Sequence, residues 1–375
     1  MTTSDVTREL YPAAEPDTAV PPGETLRELL DDLEMTQAEL ARRTGLSAKH
    51  VNRLVQGLVP LTAEVADQLA LVTGMPARLW NRLEADYRTT QQTLRLRRDP
   101  VAAWDWASAL PLKALVERGF LPQKPEDQLS RVDQALAFFG VASVEAWQEV
   151  CLTPQVAFRQ TKAYTVDDAA VATWLRLGEV AARDLTVAPY DENNLRDVLP
   201  ELRSLTTAPP EKSIQGVVEL CRNAGVAVVF VAEIPGARAS GATRWLTPDK
   251  ALVQLSLRYK SDDHLWFTIF HELAHVLLHG KRDLHVESGK IGESNDPLEQ
   301  QADRFASNLL IPPAQAQRLR QLRSLASIET FAREIGVSPG IVVGRMQHDK
   351  IWPFNRGNGL KKRLQLKETV AAGAA

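Results

Sequence analysis

A chain of 375 residues with 44 Lys and Arg against 47 Asp and Glu has a formal net charge of −3, which excludes bulk attraction to nucleic acid and leaves any DNA contact to a local patch. The length suffices for two or three domains with cores of their own. Cys151 and Cys221 match no metal or redox spacing and read as small core residues of a reduced, intracellular protein, and no run of eighteen apolar residues or charged-then-apolar leader is present, so the expected setting is cytoplasmic with no membrane.

Residues 1–22 read as a disordered tail, and 23–90 as an all-α domain of four or five short helices. Thr36 with Glu39 makes a capping box, Gly45 supplies a tight turn, and Ser47 caps the next helix. Leu40, Ala41, Leu46, Val51 and Leu54 fall where a helix-turn-helix packs its two helices, leaving Lys49, His50, Asn52 and Arg53 on or near the outer face. From Thr36 to Gln56, Arg42, Arg43, Lys49 and Arg53 stand against Glu39 alone, a balance that suits phosphate contact. A helical bundle for protein contact would share the same turn. The segment resembles XRE-type helix-turn-helix domains over roughly residues 20 to 90, and its flanks, PPGETLRELL and PARLWNRLEADY, are similar to those of HigA-type antitoxins. That resemblance implies that Gln37 opens the helix meeting the DNA backbone and that Lys49, Asn52 and Arg53 lie on the recognition helix; Ser47, as the cap, and His50, near the outer face, are counted with them as DNA-binding residues. Asn52 can pair with adenine and Arg53 with guanine or phosphate, and a homodimer suits a palindromic double-stranded operator.

Residues 91–207 form a helical middle region without motif chemistry, in which Trp104, Trp106, Trp147 and Trp174 read as core anchors and Arg95, Arg97 and Arg98 as a solvated linker or an extension of the DNA footprint. TAPPEKS, 207–213, marks the boundary before a last domain at 208–350.

That domain holds HELAHVLLHG. His271 and His275 are four residues apart and share one helix face, where two imidazoles can grip one metal ion while Glu272 serves as general base, the H-E-x-x-H zinc-peptidase arrangement. A buried helix whose histidines merely find hydrogen bonds is the alternative. The metzincin pattern is excluded by Leu278 and Lys281. For the third ligand, a straight helix carries His279 away from the ion, as a bystander, and nothing fixes the geometry of His285. In LEQQADRFASNLLIPP, apolar Ala302, Phe305, Ala306, Leu309 and Leu310 recur at helical spacing, with Glu299 and Asp303 on one face near the start. Glu299 reads as the third ligand and Asp303 as the group that orients a ligand histidine, although a solvated carboxylate pair would have the same spacing.

FTIFHELAHVLLH followed by EQQADRFASNLLIP resembles the ImmA/IrrE family of metallopeptidases, over roughly residues 213 to 350. The resemblance implies a Zn2+ site on His271, His275 and Glu299 with Glu272 as the base. The strand at Val253 to Leu257 is an expected partner for an extended substrate, and His264, Arg244 and Tyr259 are reachable transition-state donors. SIETFAREIGVSPGIVVGRMQHDKI reads as a structural helix pair, and 351–375 as a fraying tail. The expected fold is α+β and mostly helical: an N-terminal helix-turn-helix domain, a helical middle region, and a C-terminal zincin-like peptidase domain with a small sheet. The expected function is a DNA-binding transcriptional regulator whose peptidase cleaves itself or a partner repressor on a signal. The alternative is a HigA-like antitoxin and autorepressor that binds a cognate toxin and uses the zinc domain as scaffold.

Overall fold

The computed structural model describes residues 19–96, 100–125, 127–152, 167–281, 284–287 and 296–364. The expected tail at 1–18, Arg97 and Arg98, the side chain of Arg95, and residues 365–375 lie outside the described residues. The chain divides into two units, Met1–Asp105 and Trp106–Ala375.

In the first unit, local chemistry sets the helix boundaries. Helices α1 (Pro22–Asp32), α2 (Gln37–Thr44), α3 (Ala48–Val55), α4 (Ala63–Thr73) and α5 (Ala77–Leu96) follow one another. Thr36 accepts from the Glu39 backbone N–H at 3.1 Å, Ser47 from that of His50 at 3.1 Å, and Thr62 from that of Val65 at 3.3 Å. Gly45 and Gly74 end α2 and α4 at φ 78° and 77°, in the left-handed region that favours glycine. Leu26, Leu30, Leu40, Val51, Leu54, Leu69 and Trp80 make the core, with Leu46 packed against it half-buried. The expected capping box is only half made. The Glu39 carboxylate turns to Arg43 at 2.7 Å and to Arg42, and the Arg43 bond holds its carboxyl below the usual range.

The second unit begins among short helices α6 (Pro100–Ala109), α7 (Leu112–Glu117), α8 (Gln128–Phe139) and α9 (Val144–Trp147). Ser130–Leu152 has the length and apolarity of a membrane-crossing segment. Gly140 at φ 71° nevertheless ends α8, and Ser143 caps α9, so the segment folds as two helices around a turn. Trp147 is buried here, and Trp106 packs edge-on against it at 5.6 Å.

Next come α10 (Asp168–Arg183), α11 (Glu192–Ser204), α12 (Pro210–Asn223), β1 (Val226–Phe230), β2 (Gly241–Thr247), β3 (Lys250–Leu255), α13 (Asp262–Leu278), β4 (His285–Glu287), α14 (Pro297–Leu310), α15 (Pro313–Ala316), α16 (Leu325–Ile335) and α17 (Pro339–His348). The sheet order is β1-β3-β2-β4, with β1 and β3 parallel and the other pairs antiparallel. Strand alternation feeds two cores. Val226, Val228 and Phe230 with Ala251, Val253 and Leu255 face a core shared with α11 to α14, α16 and α17. Ala227, Val229, Ala242 and Leu252 face Val171, Trp174 and Leu175 of α10.

Three expectations change here. A boundary at 207–208 would cut through one packed unit, because a sheet apolar on both faces needs helices on both, and α10 and α11 supply them from the middle region. Residues 351–364 are tied down: Trp352 and Leu364 are buried, and Asp262 exchanges backbone and side-chain bonds with Lys362 at 3.0 and 2.9 Å. Strand β3 is interior, bonded to β1 and β2, so its edges cannot take a substrate; β1 and β4 are the edges among the described strands.

Arg203 of α11 joins the helices of this core. Its guanidinium donates to the carbonyls of Leu309 at 2.8 Å, Leu310 at 3.0 Å and Ile335 at 2.8 Å, groups left open at the ends of α14 and α16. Arg203→Met keeps the stem and removes the donors, and is expected to destabilise the second unit by about 2 kcal/mol in urea unfolding. Arg203→Lys should recover only part, for want of the planar fork. An unchanged midpoint would show that water serves these carbonyls as well.

Candidate functional site

Helix α13 runs through the core with nearly every side chain from Asp262 to Leu277 buried. Polar groups so placed require partners. His271 and His275, 1% and 2% exposed, project from one face towards α14. His271 Nδ1 lies 3.0 Å from Asp303 Oδ1, and its Nε2 lies 3.1 Å from Glu299 Oε2. His275 Nε2 lies 3.0 Å from His271 Nε2 and 3.5 Å from Glu299 Oε1. Asp296 starts α14 by accepting from Leu298 N–H at 2.9 Å, which sets Glu299 and Asp303 on the turns facing α13.

The donor set fits a metal ion. A carboxylate at Asp303 only accepts, so His271 Nδ1 carries the proton and Nε2 turns a lone pair inward. That lone pair, His275 Nε2 and the Glu299 oxygens then converge at separations of 3.0, 3.1 and 3.5 Å. Ligands about 2.05 Å from a tetrahedral ion stand about 3.3 Å apart, so these atoms lie at the edges such an ion requires. Burial pushes His275 down to about 4, leaving it neutral near pH 7. Burial pushes the Glu299 carboxyl up, but its bonds to His271 and His275 more than offset this and hold it well below the usual range. Both are in ligating form, and these three residues can hold a metal ion.

Glu272 faces β2. Thr243 Oγ1 donates to Glu272 Oε2 at 2.6 Å, and both side chains are buried. Gly241 makes the close approach possible, since a Cβ there would lie 2.3 Å from Glu272 Oε1. Sequence reading missed Thr243. Its signal was the alternation in GATRWLT, which sends Thr243 to the α13 side and Arg244 to the other. Arg244 is accordingly ion-paired with Glu179 of α10 and is no transition-state donor for this face. His264 and Tyr259 stack on each other at 4.2 Å, with His264 about 10 Å along the helix axis from His271. Burial pushes the His264 pKa down.

His279 is more than a bystander: its Nδ1 lies 2.8 Å from His275 Nδ1. His285, opposite Thr243 in the β2–β4 ladder, stacks on His275 at 3.9 Å. His275, His279 and His285 form a second group of converging ring nitrogens.

In the first unit, α3 exposes Lys49, Asn52 and Arg53. Lys49 and Arg53 carry no ion pair among the described residues, whereas Arg42 and Arg43 share Glu39. The cations of the helix pair that have no carboxylate partner therefore lie on α3, while α2, with two arginines against one glutamate, keeps one net positive charge. Gln37 is the half-buried first residue of α2, and the Ser47 hydroxyl is engaged as a cap. His50 is half-buried with its Nε2 enclosed, which sets it apart from the exposed α3 residues.

Comparison with known proteins matches residues 25–76 to the Cro/C1-type HTH DNA-binding domain and residues 228–347 to the IrrE N-terminal-like domain. An 82-residue stretch is 33% identical to the uncharacterized HTH-type transcriptional regulator YddM of Escherichia coli (strain K12), covering 20% of this chain and 87% of that protein. Among solved structures, the Pseudomonas aeruginosa antitoxin HigA with higBA promoter is 28% identical over 22% of this chain and 90% of its own, at a TM-score of 0.21. An addiction module antidote protein of a HigA family from Coxiella burnetii is 23% identical over 28% of this chain and 97% of its own, at a TM-score of 0.20. The buried histidine helix lies in the IrrE N-terminal-like domain, and, with an exposed α3 on a Cro/C1-type core, the chain belongs through that helix-turn-helix domain to the HTH-type transcriptional regulators related to YddM.

Proposed function

We propose that this DNA-binding regulator carries a zinc-dependent peptidase in its C-terminal unit, which cleaves the chain itself or a partner repressor. The observation that carries the reading is the convergence of His271, His275 and Glu299 at 3.0–3.5 Å beside a buried glutamate. The match to the IrrE N-terminal-like domain supports it. His271, His275 and Glu299 would hold the zinc, and Asp303 fixes the His271 tautomer. Bound there, the ion supplies Lewis-acid polarisation of a water and of a peptide carbonyl. Glu272 takes the proton of the attacking water and delivers it to the leaving amine, with Thr243 aiming its carboxylate. An extended substrate would pair with the outer edge of β4, beside His285 and the histidine helix, in place of β3.

In the first unit, Lys49, Asn52 and Arg53 would meet the operator, Gln37 and Ser47 the DNA backbone, and His50 the recognition helix's own packing. A homodimer on a palindromic site, acting in the cytoplasm where the chromosome is accessible, completes the reading. The second reading, an antitoxin that binds a cognate toxin with the C-terminal unit as scaffold, rests on the flanks PPGETLRELL and PARLWNRLEADY.

Metal content and cleavage measured together test this reading. Incubated with the product of the neighbouring gene, the wild-type chain should bind one zinc and cleave. Glu272→Gln should keep the zinc and lose about 10²–10⁴-fold in rate. Zinc in both with cleavage in neither would favour the scaffold. Zinc in neither would remove His271, His275 and Glu299 as a ligand set.

Thr243→Val is expected to slow cleavage about tenfold or more at unchanged zinc content, because Glu272 loses its orienting donor. A rate equal to wild type would remove Thr243 from the mechanism.

Arg53→Ala should cost about 1–3 kcal/mol of operator affinity. Arg42→Ala should cost less, since its charge is already shared with Glu39. Equal losses in a gel-shift titration would contradict this ranking.

A further inference from the structure

Asp303 decides which nitrogen of His271 faces the centre, and His275 needs an equivalent partner. Its Nε2 lies 3.0 Å from His271 Nε2 and 3.5 Å from Glu299 Oε1, while Nδ1, at 2.8 Å from His279 Nδ1, shares a single proton with it. His279 Nε2 lies 3.3 Å from Gln301 Oε1 on α14. An amide oxygen only accepts, so His279 Nε2 bears a hydrogen and, in the neutral ring, His279 Nδ1 is an acceptor. The proton at 2.8 Å then belongs to His275 Nδ1, and His275 Nε2 is left with its lone pair towards Glu299 and His271.

The backbone makes this contact possible. His279 has left the helix, at φ −118° and ψ 168°, although its N–H still reaches the His275 carbonyl at 3.2 Å. The ring thus meets the outer nitrogen of His275 instead of the metal centre.

We propose that His279, held by Gln301, is a positioning residue for the metal centre: it accepts the Nδ1 proton of His275 and so presents Nε2 to the ion. The inference rests on His271, His275 and Glu299 being the ligands. A second ion on His275, His279 and His285 is the competing use of the same rings. Two features oppose it. His285 is stacked on His275 at 25° between planes, so their in-plane lone pairs run side by side instead of meeting, and an ion at Nδ1 would have to expel the proton placed there.

The test is zinc affinity of the full chain, by competition with a chromogenic chelator and with stoichiometry by elemental analysis. Wild type should bind one zinc. His279→Phe keeps an aromatic ring but no acceptor, and should weaken zinc about 10–100-fold. His279→Asn places an amide oxygen where Nδ1 was and should recover most of the loss. Gln301→Leu, distant from the ligands by one more bond, should give a smaller loss. A merely structural ring would not distinguish Phe from Asn in zinc affinity, whatever either did to thermal stability. Affinity of the Phe variant equal to wild type, or Asn no better than Phe, would overturn the positioning role while leaving the ligand set in place. Two zinc ions per wild-type chain would establish the tri-histidine site instead. No zinc in wild type would remove the ligand reading, and this inference with it.

Discussion

Everything in the second unit answers to one constraint: a helix buried on nearly all sides carries two imidazoles and a carboxylate that must be satisfied without bulk water. Each polar group has its own supporting element. Asp303 and Glu299 come from α14 for His271 and His275, Thr243 from β2 for Glu272, and His279 from the end of the same helix for the outer nitrogen of His275. A set of lone pairs converging at about 3 Å is repulsive unless a proton or a cation stands among them. The geometry is thus informative about chemistry in a way that a mere cluster of polar residues on a surface is not.

The surrounding packing keeps these partners at their distances. Gly241 lets β2 approach the Glu272 carboxylate, and Gly340 and Gly344 let α17 approach Asp262 and Asp263 at the start of α13. Asp262 is also bonded to Ser338 at 2.6 Å, and burial raises its carboxyl pKa. Arg203 closes the far ends of α14 and α16. The start of the histidine helix and the end of the helix that faces it are therefore held by polar contacts made across long stretches of chain. The first unit uses a shorter-range version of the same economy. Glu39 is shared by Arg42 and Arg43 and offsets one of their two charges, while Lys49 and Arg53 stand on the exposed helix with no ion pair among the described residues.

Much of this was legible in residue order because it is local. Helical pitch places His271 with His275, and Glu299 with Asp303, on single faces. Ser and Thr ahead of a helix, and Gly after it, announced the boundaries around α2 and α3, since an N-cap bond spans only three residues. Strand alternation in GATRWLT even held the clue to Thr243. The half-made capping box shows the limit of such rules. Glu39 had the right spacing for Thr36, but two arginines one turn onward offered its carboxylate opposite charge.

Residue order is enough for the pair of modules, the helix faces and the identity of the groups on them, because each follows from backbone geometry within a turn or two. Long-range packing makes β3 an interior strand, points Arg244 to Glu179, brings α10 and α11 onto the sheet, and returns residues 351–364 to Asp262. The tertiary structure also turns His279 onto His275. These outcomes join residues far apart in the chain, or depend on where a helix stops, and they are selected by which apolar faces must be covered at once. No local spacing encodes that choice, since it is made by the whole core together.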